Sequence, residues 1–234
     1  MLTSKFWEEY FTVYDYLNEL IPYRNLLKEI CNVANIQRGD LVLDLGSGTG
    51  NLTIEAEKLG ANVKGIDFSK EGIKIHKKKN ISADVLHFDI THKLPFSDDY
   101  FDVVISNNVL YTIAKSSRSG VMNELYRIMK PNGRIVISNI IAEFKPVKIY
   151  FGHIRLSIKE SGLIKTFSTL IWLIYPTIKI MYYNFVINRE HKLGAYDFFR
   201  MGEQKSLLEL ARFRNISSDR FVYANQALLN SAIK

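Results

Sequence analysis

The run Asp44-Leu45-Gly46-Ser47-Gly48-Thr49-Gly50 carries the densest chemical signal in the chain. It follows the apolar stretch LVLDL (41–45) and precedes the helical pattern NLTIEAEKLG, so its glycines fall where a strand turns into a helix. Glycines let a backbone turn sharply and approach a ligand without Cβ clashes, and a helix start offers unpaired N–H groups. The spacing is G-x-G-x-G with an acid ahead of it, which differs from the G-x-G-x-x-G dinucleotide fingerprint. No Lys-Ser/Thr follows, so it is not a P-loop. Asp67 stands 21 residues after Gly46 and ends the run NVKGID (62–67). A carboxylate there can accept hydrogen bonds from both hydroxyls of a ribose. Asp89 ends ADVLHFD (83–89), where its side chain can meet an exocyclic adenine amine.

These residues need a scaffold that brings several strand ends together. Short β-rich runs at 41–45, 62–67, 83–89, 101–107 and 134–141 alternate with helical patterns, as βαβ units and a mainly parallel sheet require. Ser69 is placed to N-cap the second of these helices, and the cationic HKKK suits its C-terminus. Residues 117–130 read as an amphipathic helix that stops at Lys130-Pro131-Asn132-Gly133, a turn signal. Two helices, about 3–20 and 22–35, come first, split by Pro22. A helix near Glu203–Phe213 and two β runs, 219–224 and 227–233, close the chain. With only Asn225 and Gln226 between them, those runs must pair antiparallel.

The bulk properties bound the partners. At 234 residues the chain is long enough for one large domain with a sizeable core. Its division is expected as N-terminal cap helices (1–36), a core (37–142), a helical insertion (143–200) and a closing helix and hairpin (201–234). A single cysteine, Cys31, excludes an internal disulfide and suits a reducing compartment, and the start MLTSKFWEEY lacks the apolar run of a signal peptide, so a cytoplasmic location is expected. The net charge is +7, and the stretch from Glu143 to Arg214 holds twelve Lys/Arg against six Asp/Glu. Such a face can attract nucleic acid, anionic head groups or acidic small molecules, or be merely solvated.

The set in register resembles the class I S-adenosylmethionine-dependent methyltransferases over residues 41–141. It comprises the glycine loop, the acids at 67 and 89, LPFSDDYFDVVISNNVLY and ELYRIMKPNGRIVIS. Within them it is most similar to the small-molecule branch that includes the ubiquinone/menaquinone biosynthesis methyltransferases. The resemblance implies a Rossmann-like α/β fold of seven strands ordered 3-2-1-4-5-7-6, strand 7 antiparallel, helices on both faces and a helical insertion after strand 5. It implies S-adenosyl-L-methionine as cofactor, leaving as S-adenosyl-L-homocysteine. Gly46, Ser47, Gly48 and Gly50 would surround its methionine part, and Asp44 would belong to the same cofactor site. Asp67 would hold the ribose, Phe68 would pack on the adenine, and Asp89 and Ile90 would face its edge. Asn107 would sit near the amino group, and Tyr14 in a helix closing over the site.

Methyl transfer from a sulfonium is an in-line displacement, so a protein mainly aligns the nucleophile and excludes water. A general base is needed only where the acceptor must first lose a proton, and Tyr111, His153 and His191 are the candidates. Nucleic acid is disfavoured as a partner because Ser106-Asn107-Asn108-Val109 replaces the Asn/Asp-Pro-Pro-aromatic motif of amino-methylating enzymes. A metal is disfavoured because Asn107 and Asn108 are neutral where catechol-type enzymes carry carboxylates. An RNA or protein methyltransferase, and a cofactor-binding protein without turnover, stand as alternatives. The insertion carries FSTLIWLIYPTIKIMYY (167–183), and its longest uncharged run, 166–178, begins one residue before that stretch and falls short of the roughly 20 residues of a membrane span. Its aromatics Tyr150, Phe151, Phe167, Trp172, Tyr175, Tyr182, Tyr183 and Phe185 suit a lid over a hydrophobic acceptor, a peripheral membrane contact or a homodimer contact.

Overall fold

Strands β1 (Leu41–Leu45), β4 (Phe101–Asn107) and β5 (Met129–Ile140) are buried over most of their length because both sheet faces are covered. The computed structural model describes residues 3–234. β2 (Asn62–Asp67), β3 (Asp84–His87), β6 (Arg220–Val222) and β7 (Ala227–Ile233) complete a seven-stranded sheet of order β3-β2-β1-β4-β5-β7-β6. All pairs are parallel except those made by β7 with β5 and β6. The strand order and the antiparallel β7 are as expected. Order reverses between β1 and β4, so the carboxyl ends of β1, β2 and β4 open one crevice.

Helices α1 (Ser4–Tyr14), α2 (Ile21–Val33), α3 (Asn51–Glu57), α4 (Lys70–Lys79), α5 (Lys115–Ile128) and α8 (Glu203–Leu210) flank the sheet. Ser69 caps α4, its hydroxyl accepting the Gly72 N–H at 3.1 Å, as its position in the sequence implies. Several boundaries differ from the sequence reading. The first N-terminal helix ends at Tyr14 and passes into a 3-10 turn, Asp15–Glu19, while Pro22 lies inside the first turn of α2, where its missing N–H costs nothing. β3 stops at His87, so Asp89 lies two residues beyond the strand. There its Oδ1 accepts the Thr91 N–H at 2.9 Å and hydroxyl at 2.8 Å, a local turn that ends the pairing. Helix α5 ends at Ile128, and Met129 already pairs with Phe101. Lys130–Gly133 forms a bulge in β5 rather than a separating turn, with Asn132 at φ +62°. The link between β6 and β7 is four residues, 223–226, and Tyr223, Ala224 and Asn225 all take left-handed φ.

The insertion after β5 is a pair of helices, α6 (Val147–Trp172) and α7 (Ile174–Lys192). Gly162, at φ +78° and ψ 171°, kinks α6 where no Cβ obstructs it. The two helices meet at Leu173 with a bend of 63°. Pro176 sits in the first turn of α7, where it does not break the helix. α6 packs on α2, and α7 on α1.

Candidate active site

The loop after β1 is held by the end of β2. Gly46 and Ser47 both donate their N–H to the Ile66 carbonyl, at 2.8 and 3.0 Å, and Gly48 donates to Asp67 Oδ2 at 2.8 Å. Asp67 Oδ1 accepts the Ser69 N–H at 2.7 Å, so each carboxylate oxygen keeps lone pairs for a further donor. Burial raises the Asp67 carboxyl from its ordinary value against these bonds. Gly46 has φ +72°, and a Cβ there would stand 2.2 Å from the Val109 side chain.

A cavity of about 500 Å³ opens over this loop. Its floor includes Asp44, Gly46, Ser47, Gly48 and Asp67, and Phe68, Asp89, Ile90 and Asn107 also line it. Asn107 and Asn108 each present a buried Oδ1 with no hydrogen-bond partner, and so does the Ser47 hydroxyl. Asn108 takes φ +60°, an uncommon conformation for a side-chain-bearing residue, and its N–H donates to Ser138 O at 2.7 Å. Aromatic residues from distant parts of the chain form another part of the wall: Trp7, Tyr10 and Tyr14 of α1, Tyr111 after β4, Tyr196 of the insertion and Tyr223 of the closing hairpin. Neighbouring rings are in contact, Tyr10 with Tyr14 at 5.4 Å, Tyr111 with Tyr196 at 6.2 Å and Trp7 with Tyr196 at 6.4 Å. Burial pushes the phenols of Tyr10, Tyr14 and Tyr111 above their ordinary value, so all three are hydrogen-bond donors near neutral pH.

Of the residues singled out in the sequence, Tyr14, Asp44, Gly46, Ser47, Gly48, Asp67, Phe68, Asp89, Ile90, Asn107 and Tyr111 meet around this cavity. Three do not. Gly50 stands behind the loop, where at φ +80° its missing Cβ leaves room for the His76 ring, 2.1 Å from where that atom would be. His153 is buried between α6 and α2, its Nδ1 accepting the Ile21 N–H at 3.2 Å. His191 stacks on Phe198, ring centroids 4.1 Å apart, with Nδ1 3.0 Å from the Tyr196 carbonyl. Both histidines are packing groups outside the cavity wall. The aromatics of the insertion also depart from the lid reading. Phe151, Phe167, Trp172, Tyr175, Tyr182 and Phe185 are exposed, and the segment's contributions to the wall are Phe144, Asn184 and Tyr196.

Trp7, Tyr10 and Phe11 were not marked out by the sequence reading, although with Tyr14 their spacing places one aromatic stripe along α1. Tyr223 carried no signal, because a strand pattern hides the left-handed turn that swings it inward.

The mainly parallel seven-stranded sheet, with a glycine loop after β1 and Asp67 ending β2, has the fold of solved methyltransferase structures. Residues 43–137 match a family model described as a methyltransferase domain. Among solved structures, a SAM-dependent methyltransferase from Aquifex aeolicus superposes with a TM-score of 0.59 at 17% identity, covering 93% of this chain and 91% of its own. A structure from Methanococcus maripaludis described as a putative S-adenosyl-L-methionine-dependent methyltransferase gives 0.60 at 17%, covering 100% and 96%. Among curated proteins, the demethylmenaquinone methyltransferase of Listeria monocytogenes serotype 4a is 31% identical over 141 residues, 56% of this chain and 59% of that protein. The chain thus spans less than two thirds of the length of that relative.

Proposed function

We propose that the protein transfers a methyl group from S-adenosylmethionine to a small, hydrophobic, ring-bearing acceptor. The observation that carries this reading is one cavity with two linings: a glycine cradle with unpartnered polar atoms, and a wall of aromatics in edge-to-face contact. The residues present fit the cofactor. Asp67 has acceptor capacity left for two ribose hydroxyls, and the unpartnered Oδ1 atoms of Asn107 and Asn108 suit a ligand ammonium group. Phe68, exposed on the cavity rim, is placed to cover an adenine face, and Asp89 and Ile90 to meet its edge.

Bound S-adenosylmethionine supplies an activated methyl on a sulfonium sulfur. The chain's own contribution is alignment and exclusion of water, worth on the order of 7–11 kcal/mol where two reactants are held in line. Tyr111 is buried with a raised phenol, so it orients an acceptor oxygen by donating a hydrogen bond rather than by taking a proton. Among the described residues no histidine lines the cavity, which favours an acceptor whose hydroxyl ionises readily. The curated relative is named for a demethylated menaquinone, and an aromatic wall suits such a ring, so a quinol-like acceptor is the class we favour.

Two measurements test this. Asp67→Ala should weaken S-adenosylhomocysteine by about 10- to 100-fold in calorimetry, as hydrogen bonds to a charged group are worth about 1.5–3 kcal/mol. Unchanged affinity sinks the ribose assignment. With labelled cofactor and a cell extract, methyl incorporation is expected in the organic-soluble fraction. Label in the macromolecular pellet would instead favour an RNA or protein acceptor.

A further inference from the structure

The helix pair α6–α7 turns an apolar face away from the protein. Ile164 is 89% exposed, Phe167 67% and Phe185 65%, and Ile171, Trp172, Tyr175, Ile178 and Tyr182 lie between them in sequence, all exposed. Their spacing of three and four residues runs a continuous stripe along the second half of α6 and on through α7. A contiguous apolar surface of this kind is rare on a protein that stays in water. The opposite side of α7 is already used: Ile180, Tyr183 and Ile187 are buried, Tyr183 meets Phe6 and Tyr10 at 5.4 and 5.3 Å, and Asn184 lines the cavity. The stripe is therefore surplus to the core.

Its charge indicates what covers it. Residues 147–192 contain seven Lys/Arg and two Asp/Glu, a net of +5 out of +7 for the whole chain. Lys165 lies among the exposed apolar residues, and Lys179 holds its ammonium over the Tyr175 ring at 5.0 Å. Trp and Tyr carry an apolar body and a polar tip, and Lys stems can lie along hydrocarbon with the charge in the head-group layer. Among the described residues no single helix is long and apolar enough to cross a bilayer, although the bent pair passes by length and composition. One face of α7 is committed to protein, and a 63° bend separates the helices, which suits lying along a bilayer surface better than crossing it.

We propose that the exposed face of α6–α7 docks the protein on an anionic bilayer surface, with Ile164, Phe167, Trp172 and Phe185 in the acyl boundary and the lysines and arginines at the head groups. The proposal stands independently of the acceptor and of the methyl transfer.

The test uses the full chain with vesicles of phosphatidylcholine containing about 30 mole per cent phosphatidylglycerol, and with phosphatidylcholine alone. The protein should sediment with the anionic vesicles and be released in part as salt rises. Trp172 emission, read in a Trp7→Phe background, should shift to the blue on binding. The double variant Ile164→Glu/Phe167→Glu should lose about tenfold or more of the partition at an unchanged melting temperature, because both side chains are solvent-facing. Protein left in the supernatant, equal binding to neutral vesicles, or a double variant that binds as well as wild type would each overturn the proposal. So would a solution dimer that the double variant splits, since the face would then belong to a second copy.

Discussion

Asp44 lies under the glycine loop at 1% exposure, and its Oδ2 accepts the Thr53 hydroxyl at 2.7 Å. Burial outweighs that bond, and nearby Asp67 adds to it, so the carboxyl is pushed up to about 7 from an ordinary 3.8. Between those values the unfolded chain releases a proton that the folded chain retains. Folding stability is therefore lost as pH rises from about 4 to about 7, by at most about 4 kcal/mol at 1.36 kcal/mol per unit. His76, wholly buried, acts in the opposite sense: burial lowers its imidazole to about 4, and that contribution is lost as pH falls below about 6.5. Asp44→Asn keeps an acceptor for Thr53 and removes the charge. Urea melts should show the variant more stable than wild type by roughly 1–4 kcal/mol at pH 8, with the gap closing near pH 4, because subtracting the two profiles cancels His76. Parallel profiles would show that this carboxyl ionises freely in the folded protein. At this scale much of the site was legible, since an acid–glycine run after a strand and an acid ending the next strand are local patterns. Gly50 shows the boundary: its type announced a left-handed backbone, but only the fold reveals that the His76 ring lies behind it. The sequence did not show that His153 and His191 lie outside the cavity lining, for a related reason. α6 and α7 are apolar on several sides, so periodicity could not say which face turned inward.

The elements are joined across the sheet by a buried amide chain. Gln204 of α8 accepts from Asn139 Nδ2 of β5 at 2.7 Å and donates to Asn230 Oδ1 of β7 at 2.8 Å, and all three residues are fully buried. Asn230 in turn donates to Asp219 Oδ1 at 2.9 Å, which ties the approach to β6 into the same chain. Such a network holds α8 in register through the Asn139 amide nitrogen and the Asn230 oxygen, while Asn139 Oδ1 is buried without a partner. Gln204→Leu preserves volume but strands two buried amides, each worth about 1–3 kcal/mol when left unpaired. Chemical denaturation should record a loss of about 2–5 kcal/mol. A loss under about 0.5 kcal/mol, the range of a neutral surface change, would mean that water replaces the missing partner. Alternating β and α patterns were readable because strand and helix periods differ, and the short final link announced an antiparallel hairpin. Ends were harder. Met129 continues a helical apolar pattern yet pairs with Phe101, and Tyr223 looks like a strand residue yet opens a left-handed turn, because tertiary pairing decides both.

Across the whole molecule, the cavity is completed by the two ends of the chain. α1 contributes Trp7, Tyr10, Phe11 and Tyr14, and the hairpin contributes Tyr223. α1 and the 3-10 turn that follows it are fastened to the cofactor half by few polar contacts. Asp15 Oδ1 accepts the Thr49 hydroxyl at 2.6 Å and Lys79 Nζ at 3.0 Å, and Asn18 Nδ2 donates to Asn51 Oδ1 at 2.9 Å. The Asp15 carboxylate and Lys79 are partly exposed, so the polar part of this strap adds little to the apolar packing of Tyr10, Val13 and Leu17. A ligand in the cavity touches both the glycine loop and α1, and so must bind the closed arrangement better than the open one. S-adenosylhomocysteine at a hundredfold over its dissociation constant stabilises the bound state by about 2.7 kcal/mol, which for a chain of this size raises the melting temperature by about 5–10 °C. Amide exchange should slow in two separate stretches, 46–51 and 7–19, while the outward-facing half of α6 beyond Gly162 exchanges as before. Asp15→Asn removes the charge shared by Thr49 and Lys79, so its α1 should exchange faster without ligand and recover most of its protection with it. Protection confined to the glycine loop would show that α1 stays closed whether or not the cavity is filled, and that the strap gates nothing.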